Sequence, residues 1–197
     1  MSEVLNISRT QSDLMTADEL LVLPNSRYGY ELVRGELKEY MPAGNLHGFI
    51  ASRIGRVLGN FVENNNLGTV FAAETGFVIF SDPDTVRAPD SAFATKEKLS
   101  KYGLSGRYFP AAPDLAVEVV SPFDRKKDIE EKIQDYLTAG VQLIWIIYPK
   151  NKVVAVHRQN KVVSILRETD ELDGENVLPE FIYSVEELFG NLPQISE

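Results

Sequence analysis

The stretch "APDLAVEVVSP", Ala112 to Pro122, constrains this chain more than any other. It is apolar and rich in valine, and Pro113 and Ser121-Pro122 bound it, so it reads as a strand in the middle of a sheet. Alternation along a strand puts Leu115, Val117 and Val119 on one face and Ala116, Glu118 and Val120 on the other. Glu118 is therefore a carboxylate among hydrophobic neighbours. An ionised carboxylate is costly to bury alone, so it must be paired, protonated or bound to a cation.

The pattern around that strand alternates helices and strands. Thr16-Ala17-Asp18-Glu19 has the spacing of a capping box and predicts a short helix through Leu23, stopped by Pro24. "YELVRGELKEYM" predicts a hairpin around Arg34-Gly35. From Asn45 the period becomes helical: Ile50, Ile54, Val57, Leu58, Phe61 and Val62 recur on one side, and the run Asn64 to Gly68 ends the helix. "TVFAAETGFVIF" and "VRAPDSAFAT" are both strand-like, with a turn at "SDPD" between them. The polar stretch from Thr95 to Pro113 reads as a loop with one helical turn. After the quoted strand, "DRKKDIEEKIQDYLTAG" is a second helix with Ile129, Ile133, Tyr136 and Leu137 as its buried stripe and Gly140 as its stop. "VQLIWIIYP" is a buried strand with Trp145 in the core, a hairpin turns at Gln159-Asn160, and "SVEELF" is a short helix. The expectation is one α/β domain over 13–197, with a flexible N-terminus at 1–12 and a mixed central sheet flanked by helices.

A chain of 197 residues suffices for such a core, and its apolar fraction of 44% is ordinary for a globular protein. No apolar run reaches the roughly 20 residues of a membrane helix, and no secretion signal opens the chain. There are no cysteines, which excludes disulfides and thiolate metal sites. Together these lead to the expectation of a cytoplasmic protein without a membrane partner. The net charge of -9 argues against a broad basic face but not against an acidic metal site with a local basic rim.

A second acid, Asp90, follows Pro89 in the strand-like segment before the quoted one. If the two strands are neighbours, Asp90 and Glu118 can converge on one hard cation such as Mg²⁺, which takes one or two carboxylates and leaves its other positions to water and phosphate. The alternative is that Glu118 ends its strand at the surface and pairs with a lysine, while Asp90 belongs to a Pro-Asp turn.

Several segments together resemble the PD-(D/E)XK nuclease superfamily, and more closely its Uma family of restriction endonucleases. They are "YELVRGEL" (Tyr30 to Leu37), His47 at the start of the first long helix, "RAPD" ending at Asp90, "PDLAVEVVSP", Lys132 with Tyr136, and the run from Ala139 through Trp145 to Pro149. The resemblance implies a restriction-endonuclease-like core (helix, three strands, helix, strand) with the C-terminal hairpin as an extension. It also implies metal-dependent hydrolysis of phosphodiester bonds in DNA. Asp90 and Glu118 would then hold Mg²⁺ or Mn²⁺, and a lysine would assist the attacking water. The superfamily places that lysine two residues after the glutamate, where this chain has Val120; the Uma-type pattern supplies it from the following helix, at Lys132. Val120 leaves open the alternative of a catalytically inactive module that binds nucleic acid or a protein partner.

By the same resemblance Glu31 or Glu36 brings an extra acid to the site. His47, on the buried side of its helix, can orient a ligand or rest as a core histidine, and Glu74, sharing a strand face with Ala72 and Gly76, can reach the cleft. Arg87, Lys96, Lys98 and Arg107 surround the loop between the acidic strands and can form a phosphate-binding rim. Cutting both strands of a duplex often takes two active sites, so a homodimer is the expected assembly, although no interface is legible.

Overall fold

The computed structural model describes residues 14–23, 29–160 and 162–190. The expected flexible segment 1–12 lies outside them, as do Pro24 and the residues after Gly190. A short helix α1 (Ala17–Leu21) opens on a complete capping box between Thr16 and Glu19. Strands β1 (Gly29–Val33) and β2 (Glu36–Tyr40) follow as the expected hairpin. Its two turn residues, Arg34 and Gly35, both have positive φ, at 51° and 77°, which suits the twist of a tight hairpin. Helix α2 (Asn45–Asn64) buries Ile50, Ile54, Leu58 and Val62, the stripe its sequence period predicts.

The next two segments depart from expectation. "TVFAAETGFVIF" is two strands, β3 (Gly68–Ala72) and β4 (Phe77–Phe80), because Glu74 turns the chain at φ 70°. Glu74 thus lies in a turn and not on a strand face beside Ala72 and Gly76. "VRAPDSAFAT" is likewise two strands, β5 (Thr85–Arg87) and β6 (Ser91–Thr95). Pro89 has no N–H to give to a ladder, so pairing stops there and the chain passes from one sheet to another. The expected loop with one helical turn contains α3 (Lys96–Tyr102).

Then come β7 (Leu115–Val119), α4 (Lys126–Thr138) and β8 (Leu143–Tyr148). Gly140, at φ 88°, ends α4 in a Schellman motif: Val141 N–H donates to the Tyr136 carbonyl (3.0 Å) and Gly140 N–H to that of Leu137 (3.2 Å). The C-terminal part adds β9 (Val153–Arg158), β10 (Val163–Leu166), β11 (Glu171–Asp173), β12 (Ile182–Ser184) and α5 (Val185–Phe189).

The central sheet has six strands in the order β10-β9-β8-β7-β6-β3, with β7 and β8 parallel and the other pairs antiparallel. The hairpin β9-β10 extends it, as expected. Helix α2 packs on the face that presents Leu115, Val117, Val119 and Trp145. Helix α4 packs on the other, against Ala116, Ile144 and Ile146, together with Phe77 and Ile79 of β4. A second sheet, β2-β1-β5-β4, therefore lies on the α4 side. Among the described residues no helix is long and apolar enough to cross a membrane.

Charge, as well as apolar packing, ties the second sheet to α4. Arg87 of β5 donates to Asp135 of α4 through Nε (3.1 Å) and Nη2 (2.5 Å), and through Nη1 to Glu31 of β1 (2.8 Å). Arg34, in the hairpin turn, reaches the other oxygen of Asp135 at 2.9 Å. Removing one partner of a buried pair strands the other, typically at about 3–5 kcal/mol, whereas a half-exposed pair is worth about 1 kcal/mol or less. Asp135→Asn is therefore expected to lower unfolding stability by about 3 kcal/mol or more, and Arg34→Ala, whose guanidinium is largely exposed, by about 1 kcal/mol or less. Urea unfolding of both variants checks the contrast.

Candidate active site

The carboxylate of Glu118 lies near the end of β7, on the face toward α4. Lys132 and Tyr136, one turn apart on α4, converge on it: Lys132 Nζ stands 3.2 Å from both carboxylate oxygens, and the Tyr136 hydroxyl donates to Oε1 at 2.7 Å. The same ammonium lies 3.1 Å from Glu31 Oε1. Glu31 is buried and also accepts from Arg87 and, at 3.0 Å, from the backbone N–H of Ala88. One cation thus joins a carboxylate from each sheet.

Asp90 arrives from the passage between β5 and β6. Pairing of β6 with β7 ends at Ser91 opposite Val117. Beyond that point the Asp90 side chain takes over, accepting the Val119 N–H on Oδ2 at 2.7 Å. His47, in the first turn of α2, sits 3.1 Å from the same oxygen through Nε2. The sequence reading left His47 between core and site, and the structure puts it on Asp90. Both partners meet Oδ2.

Burial sets the charge states. It pushes the Glu118 carboxyl up, only partly offset by Lys132 and reinforced by the charges of Asp90 and Glu31, so the acid is raised to about 7. For Glu31 burial acts the same way, but Lys132 and Arg87 outweigh it and hold the carboxyl below its ordinary value. Burial pulls Lys132 down, yet Glu118 and Glu31 outweigh it and keep the ammonium charged. His47 follows the same logic: burial opposes its charge, and Asp90, by hydrogen bond and by field, raises it nonetheless.

A cleft of about 950 Å³ opens over this group, and Glu31, His47, Glu74, Asp90, Glu118 and Lys132 all line it. Glu36 does not; it is exposed on β2, on the far side of the hairpin turn. The expected basic rim is largely elsewhere. Arg87 touches the cleft but is buried in its ion pairs with Glu31 and Asp135, so it cannot act as a solvent-facing rim cation. Lys96, Lys98 and Arg107 do not line the cleft: Lys98 is tied to Asp114 (3.0 Å) and Arg107 pairs with Asp18. Besides Lys132, His47 and Arg87, the cleft is lined by the basic residues Lys38, Arg56 and Arg125, which the sequence reading passed over. Asp135 was also missed, although an aspartate next to the buried stripe of an amphipathic helix signals a buried partner.

Among the described residues no group of three or more His, Cys, Asp or Glu side chains is placed to hold a metal ion. Asp90 and Glu118 both line the cleft, and two carboxylates are a donor type that a hard cation takes while keeping water or phosphate oxygens in its remaining positions.

Residues 17–186 match the model of the Uma2 family, described as "Putative restriction endonuclease". No curated protein matches the chain. Among solved structures the chain is similar to the crystal structure, at 1.96 Å resolution, of "a putative nuclease belonging to DUF820 from Anabaena variabilis ATCC 29413". The two are 23% identical, the match covers 89% of this chain and 97% of that one, and the TM-score is 0.77. At that identity the likeness shows a shared fold.

The raised Glu118 has a measurable consequence in metal-free protein. Between the ordinary value of 4.5 and about 7, the folded state keeps a proton that the unfolded chain has released. Stability therefore falls as pH rises through that window. Glu118→Gln removes the titration while keeping an acceptor for Tyr136, and Glu31 still holds Lys132. The variant is expected to be more stable than wild type at pH 8, by on the order of 2 kcal/mol, with the gap closing near pH 5. Thermal melts in EDTA across that range check it.

Proposed function

We propose that this chain, which belongs to the Uma2 family, is a metal-dependent endonuclease that hydrolyses phosphodiester bonds of DNA. The observation that carries the reading is that Asp90, Glu118 and Lys132 line one cleft, with Lys132 held by Glu118 and Glu31 and with His47 on Asp90. Asp90 and Glu118 would hold Mg²⁺ or Mn²⁺. Such an ion supplies Lewis acidity, which polarises a phosphate and acidifies a water.

The chain's own residues supply the rest. The Lys132 ammonium is fixed between two carboxylates, a place from which it can stabilise negative charge developing on a phosphate or on an attacking water. Lys132 comes from α4 and not from β7, yet it reaches Glu118; Val120 meanwhile packs with the apolar cluster under α4. His47 orients Asp90 through Oδ2, and Tyr136 orients Glu118 through Oε1. Glu31, already satisfied by Arg87, Ala88 and Lys132, serves as the anchor of the lysine. A homodimer belongs to this reading where both strands of a duplex are cut.

A second reading has its own observation. The Lys132 ammonium already neutralises Glu118, as it would in a scaffold that binds without cutting. The two readings part on metal binding and turnover. For the endonuclease, calorimetry shows Mn²⁺ binding that is lost in Asp90→Ala and in Glu118→Ala. Cleavage of a duplex plasmid requires Mg²⁺ or Mn²⁺, stops in EDTA, and falls about 100-fold or more in Lys132→Met. A folded wild type that neither binds Mn²⁺ nor cuts DNA or RNA is the inactive module.

A further inference from the structure

Two aromatic residues from different elements line the cleft outside the core. Phe123 is 90% exposed, the highest value of any large hydrophobic among the described residues. Its loop leaves β7 beside the site: Val120, two residues after Glu118, still donates its N–H to the Ile147 carbonyl at 2.8 Å. The loop is a closed turn. Ser121 N–H donates to Asp124 Oδ2 at 2.7 Å, and Asp124 N–H donates back to the Ser121 carbonyl at 3.1 Å. Arg125, next in the chain, holds Asp128 at 2.7 and 2.9 Å. These bonds fix the backbone around Phe123 and leave its side chain in solvent.

The second aromatic, Tyr40, comes from the smaller sheet. It pairs with Gly29 across the hairpin, as Lys38 pairs with Glu31. Opposed residues share a face, and so do residues two apart, so Tyr40 lies on the face from which Glu31 meets Lys132. Gly29 makes room for it: a Cβ there would fall 2.0–2.4 Å from the phenol end of the ring. Burial, and after it the charges of Glu31 and Glu74, raise the phenol above its ordinary value, in keeping with a place beside the acids. Met41, the next residue, also lines the cleft and is 70% exposed. A single exposed hydrophobic needs no explanation. Two aromatics and a methionine along one cleft, beside paired acids, do.

Charge then selects the ligand. Carboxylates outnumber lysines and arginines in the lining of the cleft. Three of those cations already have partners: Arg87 and Lys132 meet Glu31, and Arg125 meets Asp128. Duplex DNA carries one negative charge per about 1.7 Å of its axis, twice the density of either strand alone. An acid-rich lining is poorly matched to that density. An unpaired strand halves the charge and brings base faces that stack on aromatic rings.

We propose that the substrate strand is unpaired where it crosses the cleft, its bases stacked on Phe123 and Tyr40 and one of its phosphates at Asp90 and Glu118. The inference rests on the nuclease reading and narrows its substrate to single-stranded or locally melted DNA. Negative supercoiling opens such stretches in a plasmid. Every base has a face that can stack, so this rim holds a strand without reading its sequence.

Anisotropy of fluorescein-labelled 20-mers tests this, with Ca²⁺ present as an oxygen-binding cation. The probes are a mixed-sequence single strand, the same strand with central abasic sites that keep every phosphate, and the strand annealed to its complement. Wild type is expected to bind the intact single strand about tenfold or more tighter than either other probe. Phe123→Ala weakens the intact strand about fivefold or more and leaves the abasic one unchanged, while Phe123→Trp retains wild-type affinity. Its melting temperature stays that of wild type, since a side chain this exposed packs on little. Tyr40→Leu, which keeps an apolar group beside Gly29, follows the same binding pattern. Unchanged single-strand affinity in either truncated variant overturns the proposal. So does an equal loss on the abasic probe, or a wild type that binds duplex or abasic strand as tightly as the intact one. All of these leave the nuclease reading standing; a wild type that binds none of the three probes overturns both.

Discussion

The position of the Lys132 ammonium depends on two acids, and much of the molecule depends on that position. Glu31 comes from the smaller sheet, Glu118 from the central one, and the lysine from the helix between them. Continuing outward, Arg87 binds Glu31 and Asp135, and Arg34 binds Asp135 and Glu131. Charges alternate in sign along the whole chain of contacts. Such a chain is not an efficient source of stability, since desolvation consumes most of the Coulomb gain. What it supplies is position: each buried ion has one low-energy place, defined by its partners, so the cleft wall is held to a single geometry.

The same chain of charges shows where sequence and structure part. Period and punctuation sufficed for α2, α4, β7, β8 and the two hairpins, because those elements bury regular apolar stripes and end at Gly, Asn or Pro. Glu118 stood out because it interrupts such a stripe, and Lys132 followed from its place beside the stripe of α4 together with the family resemblance. Arg87 did not stand out, since a single arginine in a short strand reads as a surface cation until the acids that bury it are known. Those acids, Glu31 and Asp135, lie far from it in the chain, and no local pattern links them. Likewise Glu31 and Glu36 were equivalent as hairpin acids. Only the packing of β1 beneath α4 makes one buried and the other exposed.

The division of two strand-like segments between two sheets was hidden for a related reason. β3 and β4 read as one strand-like segment, and so do β5 and β6, because each crossing takes only a few residues, Ala73 to Gly76 and Ala88 to Asp90. The local cue was Pro89, which cannot continue a ladder. That crossing has a chemical result. It leaves the end of β7 without its ladder partner, and the Asp90 carboxylate fills the vacancy at Val119 N–H. Asp90 is therefore placed by backbone hydrogen bonding, a stricter constraint than a salt bridge between flexible side chains.

Several features near the cleft oppose stability. Glu118 is held in a site that favours its neutral form, Ser91 keeps an unpaired hydroxyl, and α2 carries glycines where alanine would fit. The core away from the cleft packs Phe77, Phe93 and Leu58 fully among apolar neighbours, and there too one polar atom, the Trp145 Nε1, is buried without a hydrogen-bond partner among the described residues. A fold shaped by stability alone would remove these local costs by substitution. On the proposed reading, an acid held toward its neutral form beside a lysine fixed by two acids is the local cost that a cation-binding site would keep and that stability alone would not.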